Sequence, residues 1–222
     1  MKILMVSSEA APLAKSGGLA DALSALARAL KREGHDVRIA LPRYYSIPRA
    51  SLTRVEGALG VPMGECEEWA AVYEAPLAGS GLPVYFVDHE GFFGRDGIYG
   101  DATERDYSDN PRRFAFFSRA ALQLCRKLSW IPDIVHVHDW PASLAAVYMR
   151  CGLAGQEYSR SASVLTIHNL GYQGSYHKNH FPYFGLPWEA FHDCGIEHYG
   201  TMNLLKAGIS CADKLTTVSP SY

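Results

Sequence analysis

The stretch KILMVSSEAAPLAKSGGLADALSALARALKREGHDVRIALP, residues 2–42, decides the fold class. Its first residues, KILMVS at 2–7, are aliphatic and β-branched, the make-up of a short strand. A polar loop carrying Gly17 and Gly18 follows. From Leu19 the period changes: Leu19, Leu23, Leu26 and Leu30 recur at helical spacing, with Asp21, Arg28 and Lys31 off the stripe. Gly34, just past Arg32 and Glu33, suits a helix C-cap. Asp36–Leu41 reads as a second strand, closed by Pro42. Strand, glycine loop, helix and strand in this order make a βαβ unit, which calls for a parallel sheet.

Outward from this unit the rhythm is interrupted and then resumes. Trp69–Tyr73 and Pro83–Val87 are short strand candidates in a glycine-rich context, and they read as an antiparallel insertion. Residues 89–110 are polar, aromatic and glycine-rich; they predict a long loop with few aliphatic anchors, the most mobile internal stretch. A helix starts at Ser108 or Asp109, with Pro111 in its first turn, and runs through Leu128. Asp133–Val137 predicts a strand, Pro141–Met149 a helix and Val164–Ile167 a strand. Residues 169–200 are aromatic and irregular, Asn203–Ala212 is helical, and Lys214–Val218 is a strand. Ser219–Tyr222 stands where a further helix should begin. There is no internal repeat, so the chain reads as one doubly wound α/β domain with embellished loops.

Composition narrows the function classes. The chain has 222 residues, 48% hydrophobic and 20% charged, which excludes disorder. With 21 Lys and Arg against 23 Asp and Glu, it lacks the basic excess of a nucleic-acid or anionic-membrane surface. Its longest apolar runs fall well short of the ~20 residues of a membrane span. Met1 opens directly into the strand-like run, without the basic start and long apolar stretch of a signal peptide. Five cysteines, odd in number, widely spaced and without C-x-x-C, suit reduced thiols in a cytoplasmic protein rather than a zinc site. Small or neutral partners are expected, with no nucleic acid and no membrane.

In open α/β sheets ligands bind beyond the carboxyl ends of the strands, and SSEAAPLAKSGGL, residues 7–19, leaves such an end. Gly17 and Gly18 remove side chains where a helix N-terminus exposes N–H groups, and Lys15 adds a positive charge, so an anion or sugar hydroxyl could approach. The G-x-G-x-x-G fingerprint of dinucleotide sites and the P-loop are both absent. Taken alone, Lys15 reads equally well as a solvated loop lysine and the glycines as a tight turn.

Longer motifs bear on this. KSGGLAD at residues 15–21, preceded by SSEAAP, resembles the N-terminal signature of bacterial glycogen synthases and plant starch synthases, the ADP-glucose-using α-1,4-glucan glucosyltransferases. Three further blocks follow in the family's order: HVHDW at 136–140, TIHNLGYQG at 166–174 and LLKAGISCADKLTTVSPSY at 204–222. The resemblance implies a Rossmann-like doubly wound parallel sheet, the N-terminal half of a two-domain GT-B glycosyltransferase. Residues 1–222 would then be the N-terminal catalytic domain. The C-terminal nucleotide-binding domain, with its glutamate and basic pair at the phosphates, lies beyond Tyr222. The implied reaction is transfer of glucose from ADP-glucose to the non-reducing end of an α-1,4-glucan such as glycogen. It proceeds with retention and without metal or other cofactor, and this half alone is expected to be inactive. A different GT-B glycosyltransferase would share the fold but not the full motif set; a non-catalytic glucan-binding domain would stand alone.

The resemblance also implies site residues. Lys15 would contact the ADP-glucose phosphates, with the Gly17 and Gly18 amides beside them. Asp21, one turn into the helix, would cap it, pair with a neighbouring cation or help shape the donor site. Asp139 and His168 would be catalytic: Asp139 positions the transferred glucose or the acceptor hydroxyl, and His168 contacts the donor's 6-hydroxyl. Tyr99 and Trp140 would bind the acceptor. His136 and His138 share a strand face, but no further ligand stands at metal spacing, so no metal site is expected. Pro141, where a histidine or glutamine is more usual, and Ala22, in place of valine, depart from the family pattern.

Overall fold

A computed structural model describes residues 1–103 and 106–219. The chain order is β1 (Lys2–Val6), α1 (Gly18–Arg32), β2 (Asp36–Pro42), β3 (Thr53–Arg54), β4 (Leu59–Met63), β5 (Cys66–Leu77), β6 (Leu82–Asp88), α2 (Glu90–Phe93) and α3 (Asn110–Lys127). It continues with β7 (Ile134–His138), α4 (Asp139–Arg150), β8 (Ala162–Ile167), β9 (Ser175–His177), α5 (Ala190–Asp193), β10 (Glu197–His198), β11 (Thr201–Asn203), α6 (Leu204–Cys211) and β12 (Lys214–Thr217).

Neighbouring residues on a strand face opposite ways, yet Ile3, Leu4, Met5 and Val6 are all buried, so β1 is covered on both faces. It lies between β2 and β7 in a sheet ordered β12-β8-β7-β1-β2-β6-β5-β3. The pairs from β12 through β6 are parallel, with Met5 opposite both Ile39 and His136, and His136 opposite Val164. The expected parallel α/β sheet is therefore present, and α1 packs against β2 and β6 while α4 packs against β7 and β8.

Several expectations need correction. Pro83–Val87 belongs to β6, which pairs parallel with β2 through Ile39 and Val84; only its other edge is antiparallel, to β5. The antiparallel part also includes β3 and β4, which pair only with β5. Pro62 inside β4 hides that strand in the sequence, because proline is tolerated only at an edge. On α1 the buried set is Leu19, Ala20, Leu23, Ser24 and Ala27, whereas Leu26 is 37% exposed. The buried face is thus rotated toward small residues from the leucine stripe.

The described part of residues 89–110 carries anchors that its composition does not show, residues 104–105 lying outside the described residues. It contains α2, Phe93 is fully buried, and the buried Arg113 guanidinium donates to the Phe92 and Ile98 carbonyls at 2.7 and 3.1 Å. The anchors are aromatic rings and an arginine from α3, not aliphatic side chains. Within 169–200 the chain builds a small sheet ordered β10-β11-β9 and a 3-10 helix over Lys178–Phe184. Asn203 caps α6 by accepting the Lys206 N–H at 2.9 Å. At Gly208 a Cβ would lie 2.7 Å from Ser143, so glycine is what lets α6 cross α4 this closely. The helix expected from Ser219 onward lies outside the described residues. Among the described residues no helix is long and apolar enough to cross a membrane, and all five cysteines are unbonded thiols.

Candidate active site

The carboxyl end of β1 leads into Ser7, Ser8 and Glu9, all buried. The Glu9 carboxylate, 3% exposed, accepts four hydrogen bonds: from the Ser16 N–H at 2.6 Å, the Ser16 hydroxyl at 2.7 Å, the Gly17 N–H at 3.2 Å and the Tyr99 hydroxyl at 2.8 Å. Gly17, the N-cap of α1, has no side chain to offer, so an acid from the strand end satisfies those amides instead. The Gly17 N–H expected to face a phosphate is therefore directed at Glu9. A Cβ at Gly17 or Gly18 would meet nothing within 4 Å, so the outer side of the loop is open. Lys15 and Asp21 form an ion pair at 2.6 Å with both side chains about half exposed, so Asp21 makes the cation pairing that was one of the roles open to it.

At the next strand end, β7 turns sharply into α4. Asp139 takes φ +54, a left-handed conformation that aspartate tolerates better than most residues. Its Oδ1 accepts the His168 backbone N–H at 2.7 Å, and the Asn169 backbone N–H is a second donor. Burial nevertheless pushes this carboxyl up to about 6, and the negative charge of Glu9 adds to the rise. The turn after β8 is thus tied to the turn after β7 through one carboxylate.

The imidazoles complete this edge. His136 and His138 share a face, as strand alternation requires, and their rings stack at 4.3 Å. His136 Nε2 pairs with Thr166 Oγ1 at 2.6 Å, and Thr166 Oγ1 in turn with Thr216 Oγ1 at 2.6 Å. His138 Nδ1 lies 3.0 Å from His168 Nε2. Burial lowers His136 to about 4 and holds His138 well below the usual histidine range; it lowers His168 too, against the opposing charge of Glu9. Among the described residues no group of three or more histidine, cysteine or acidic side chains is arranged to hold a metal ion.

Trp140 and Tyr99 sit to one side of these groups. The indole is 7% exposed, packed at 5.0 Å on Phe114, 5.7 Å on Tyr176 and 6.0 Å on Tyr99. Gly174, at φ +63, lies directly on it: a Cβ there would come within 2.7 Å of the ring. Trp140 therefore borders a cleft of about 310 Å³, also lined by Asp106, Tyr172, Gln173 and Tyr176, rather than presenting an open face to it. The Tyr99 hydroxyl is engaged by Ser8 Oγ at 2.8 Å and by Glu9, and burial holds it well above the usual phenol range. It joins the loop after β1 to the aromatic wall.

The structure thus brings Lys15, Gly17, Gly18 and Asp21 together at the N-terminus of α1 and joins Asp139 to His168. It adds three residues without an assigned role: Glu9, His138 and the exposed Tyr172. Glu9 carried one legible signal, a lone acid among small residues just past an apolar strand.

Fold and site define a Rossmann-like α/β domain whose candidate site residues gather at the carboxyl ends of strands β1, β7 and β8. Within that class, the chain belongs to the starch synthase catalytic domain family, whose family model matches residues 2–222. It is 53% identical over 222 residues to a glycogen synthase of Treponema denticola, spanning all of this chain and 45% of that protein. A glycogen synthase of Anaeromyxobacter sp. is 45% identical over 231 residues, with 100% and 46% coverage. Among solved structures, the catalytic domain of starch synthase IV from Arabidopsis thaliana, bound to ADP and acarbose, matches with a TM-score of 0.86 at 30% identity. That match covers 99% of this chain and 45% of the plant chain, so this chain spans about half the length of the relatives it resembles.

Proposed function

We propose that this chain forms one wall of the catalytic cleft of a glycogen synthase that transfers glucose from ADP-glucose to the non-reducing end of an α-1,4-glucan with retention. The observation that carries the reading is the convergence of the Lys15–Gly18 loop, Asp139 and His168 on one sheet edge. Relatives over the whole chain are glycogen synthases, and the structural counterpart holds ADP and acarbose. Lys15, tied to Asp21 only by a half-exposed ion pair, is free to swing to a diphosphate, and the open side of Gly17 and Gly18 leaves room for it. Asp139 and His168 would hold the glucosyl unit, while the cleft beside Trp140 and Tyr172 would take the glucan. Tyr99 would act on the acceptor through its ring rather than its engaged hydroxyl.

In this reading the chemistry is positioning and electrostatics: the departing diphosphate takes the acceptor's proton while fixed cations hold its charge. Lys15 and a basic pair on a C-terminal nucleotide-binding domain would meet that charge without a metal. The free thiols fit a cytoplasmic setting. The test is transfer of labelled glucose from ADP-glucose to glycogen by the intact protein, with the new linkage read by NMR. Lys15→Ala should raise the donor KM or lower kcat, with Lys15→Arg only a partial rescue. An intact protein that binds glycogen but transfers no glucose would replace this reading with a non-catalytic one.

A further inference from the structure

We infer that His138 is a positioning residue: its buried Nδ1–H donates to His168 Nε2 and holds His168 in the tautomer whose Nδ1–H is left open to solvent. The two ring nitrogens lie 3.0 Å apart, so one of them carries a proton and the other a lone pair. Which one is decided at the far side of the His138 ring. His138 is 0% exposed, and its Nε2 is sealed from solvent without a hydrogen-bond partner. Were His138 the acceptor at Nδ1, its own proton would sit on that Nε2 as a buried donor with nothing to receive it. Orphaned buried N–H groups are rarer in proteins than under-used acceptors, so the bare nitrogen belongs at Nε2 and the proton at Nδ1.

A doubly protonated His138 is excluded by its surroundings. The ring is enclosed, with His136 stacked on it at 4.3 Å and His168 at 5.3 Å, and burial together with these two neighbours favours the neutral form. The consequence falls on His168. Its ring is only half-buried, and its Nδ1 is not among the side-chain atoms sealed from solvent. With Nε2 occupied as an acceptor, that open nitrogen must carry the hydrogen. His168 therefore offers a ligand a donor and not a lone pair, and selects for an oxygen that can accept. The effect of this tautomer on glucose transfer rests on the function proposed above.

The test uses the intact protein labelled with ¹⁵N-histidine. At pH 7.5, long-range ¹H–¹⁵N correlation should show His168 with a pyrrole-type Nδ1 and a pyridine-type Nε2, and His138 with a pyrrole-type Nδ1. A pyridine-type His168 Nδ1 in the wild-type protein overturns the inference whether or not any variant folds. His138→Asn places an amide N–H near the lost Nδ1–H and should keep the His168 pattern. His138→Leu, lacking a donor, should release His168 into mixed tautomers. In glucose transfer, His138→Leu should lower kcat about tenfold with a smaller change in KM, and His138→Asn should recover most of it. Unchanged kcat in His138→Leu despite released tautomers would overturn the positioning role. The expected spectrum in a protein that transfers no glucose would support the tautomer assignment and remove the proposed function instead.

Discussion

Asp139 combines two unfavourable features, a left-handed backbone and a buried carboxylate, at the start of α4. Such features cost of order 1–3 kcal/mol each and persist where a site requires them. Asn tolerates the same φ and keeps one acceptor for the His168 N–H, but carries no charge. Asp139→Asn should therefore melt at the same temperature as wild type or slightly higher at pH 7.5, while kcat for glucose transfer falls at least about a hundredfold. Differential scanning calorimetry checks the first half; a marked drop in Tm would contradict it. Titration adds a second signature. His136, lowered to about 4 by burial, binds fewer protons folded than unfolded, and burial lowers His138 and His168 in the same direction. Their stabilisation is complete above pH ~6.5 and is lost as the pH falls below it, the part from His136 down to about 4 and amounting to about 3 kcal/mol. Asp139, raised to about 6, acts in the opposite sense: its favourable contribution is present below its ordinary pKa and lost as the pH rises to 6. Three histidines outweigh one acid, so urea-derived stability should rise between pH 4.5 and 6.5, and more steeply in Asp139→Asn. A flat profile would refute the burial argument.

At the scale of elements, the turn from β1 into α1 is organised by Glu9 rather than by its glycines. Four donors converge on one carboxylate that also reaches, through Tyr99, the segment entering α3. Glu9→Ala would leave the exposed Ser16 and Gly17 amides to water and the buried Tyr99 hydroxyl without its carboxylate acceptor, a loss of about 1–3 kcal/mol. It should speed hydrogen exchange at those two amides and raise the donor KM, whereas Asp21→Ala, which breaks only the half-exposed pair with Lys15, should cost little stability. Unchanged exchange at Ser16 and Gly17 in Glu9→Ala would show that the loop holds its own shape. The segment between α2 and α3 follows the same logic. Its apparent lack of anchors came from counting aliphatic side chains, while Phe93 at the end of α2 and the Arg113 guanidinium of α3, which holds the Ile98 carbonyl, secure its described part from either side.

For the whole molecule, the described groups gather at the carboxyl ends of adjacent strands, in a chain that spans about half the length of its relatives. If the remaining phosphate contacts belong to a second domain, this chain by itself should transfer no measurable glucose and bind ADP-glucose weakly. Losing two charge-assisted contacts at roughly 1.5–3 kcal/mol each lowers affinity by about two to four decades. Labelled ADP-glucose and glycogen, with the purified chain alone and then with the second half added in trans, measure this directly. Transfer by the chain alone at enzymatic rates would mean that the second domain is dispensable.

The local periods of the sequence determined the elements of this protein. The strand at KILMVS, the helix after Gly18, the strands ending in His138 and Ile167 and the capped α6 all follow from short-range patterning, and four motif blocks pointed to the loops that matter. Tertiary structure alone decided what those loops do to one another. Placing β1 between β2 and β7, with β8 beyond, sets the Glu9, Asp139 and His168 turns side by side. The acid at residue 9 is about ninety residues from Tyr99, and His138 is thirty from His168, separations at which no spacing rule applies. Strand order also turned β6 from an insertion into a parallel neighbour of β2, because both edges of a strand look alike in sequence until a partner is docked. Hydrogen-bond partners and burial are properties of the packed chain, and they decide here which acid grips the loop and which histidine holds the proton.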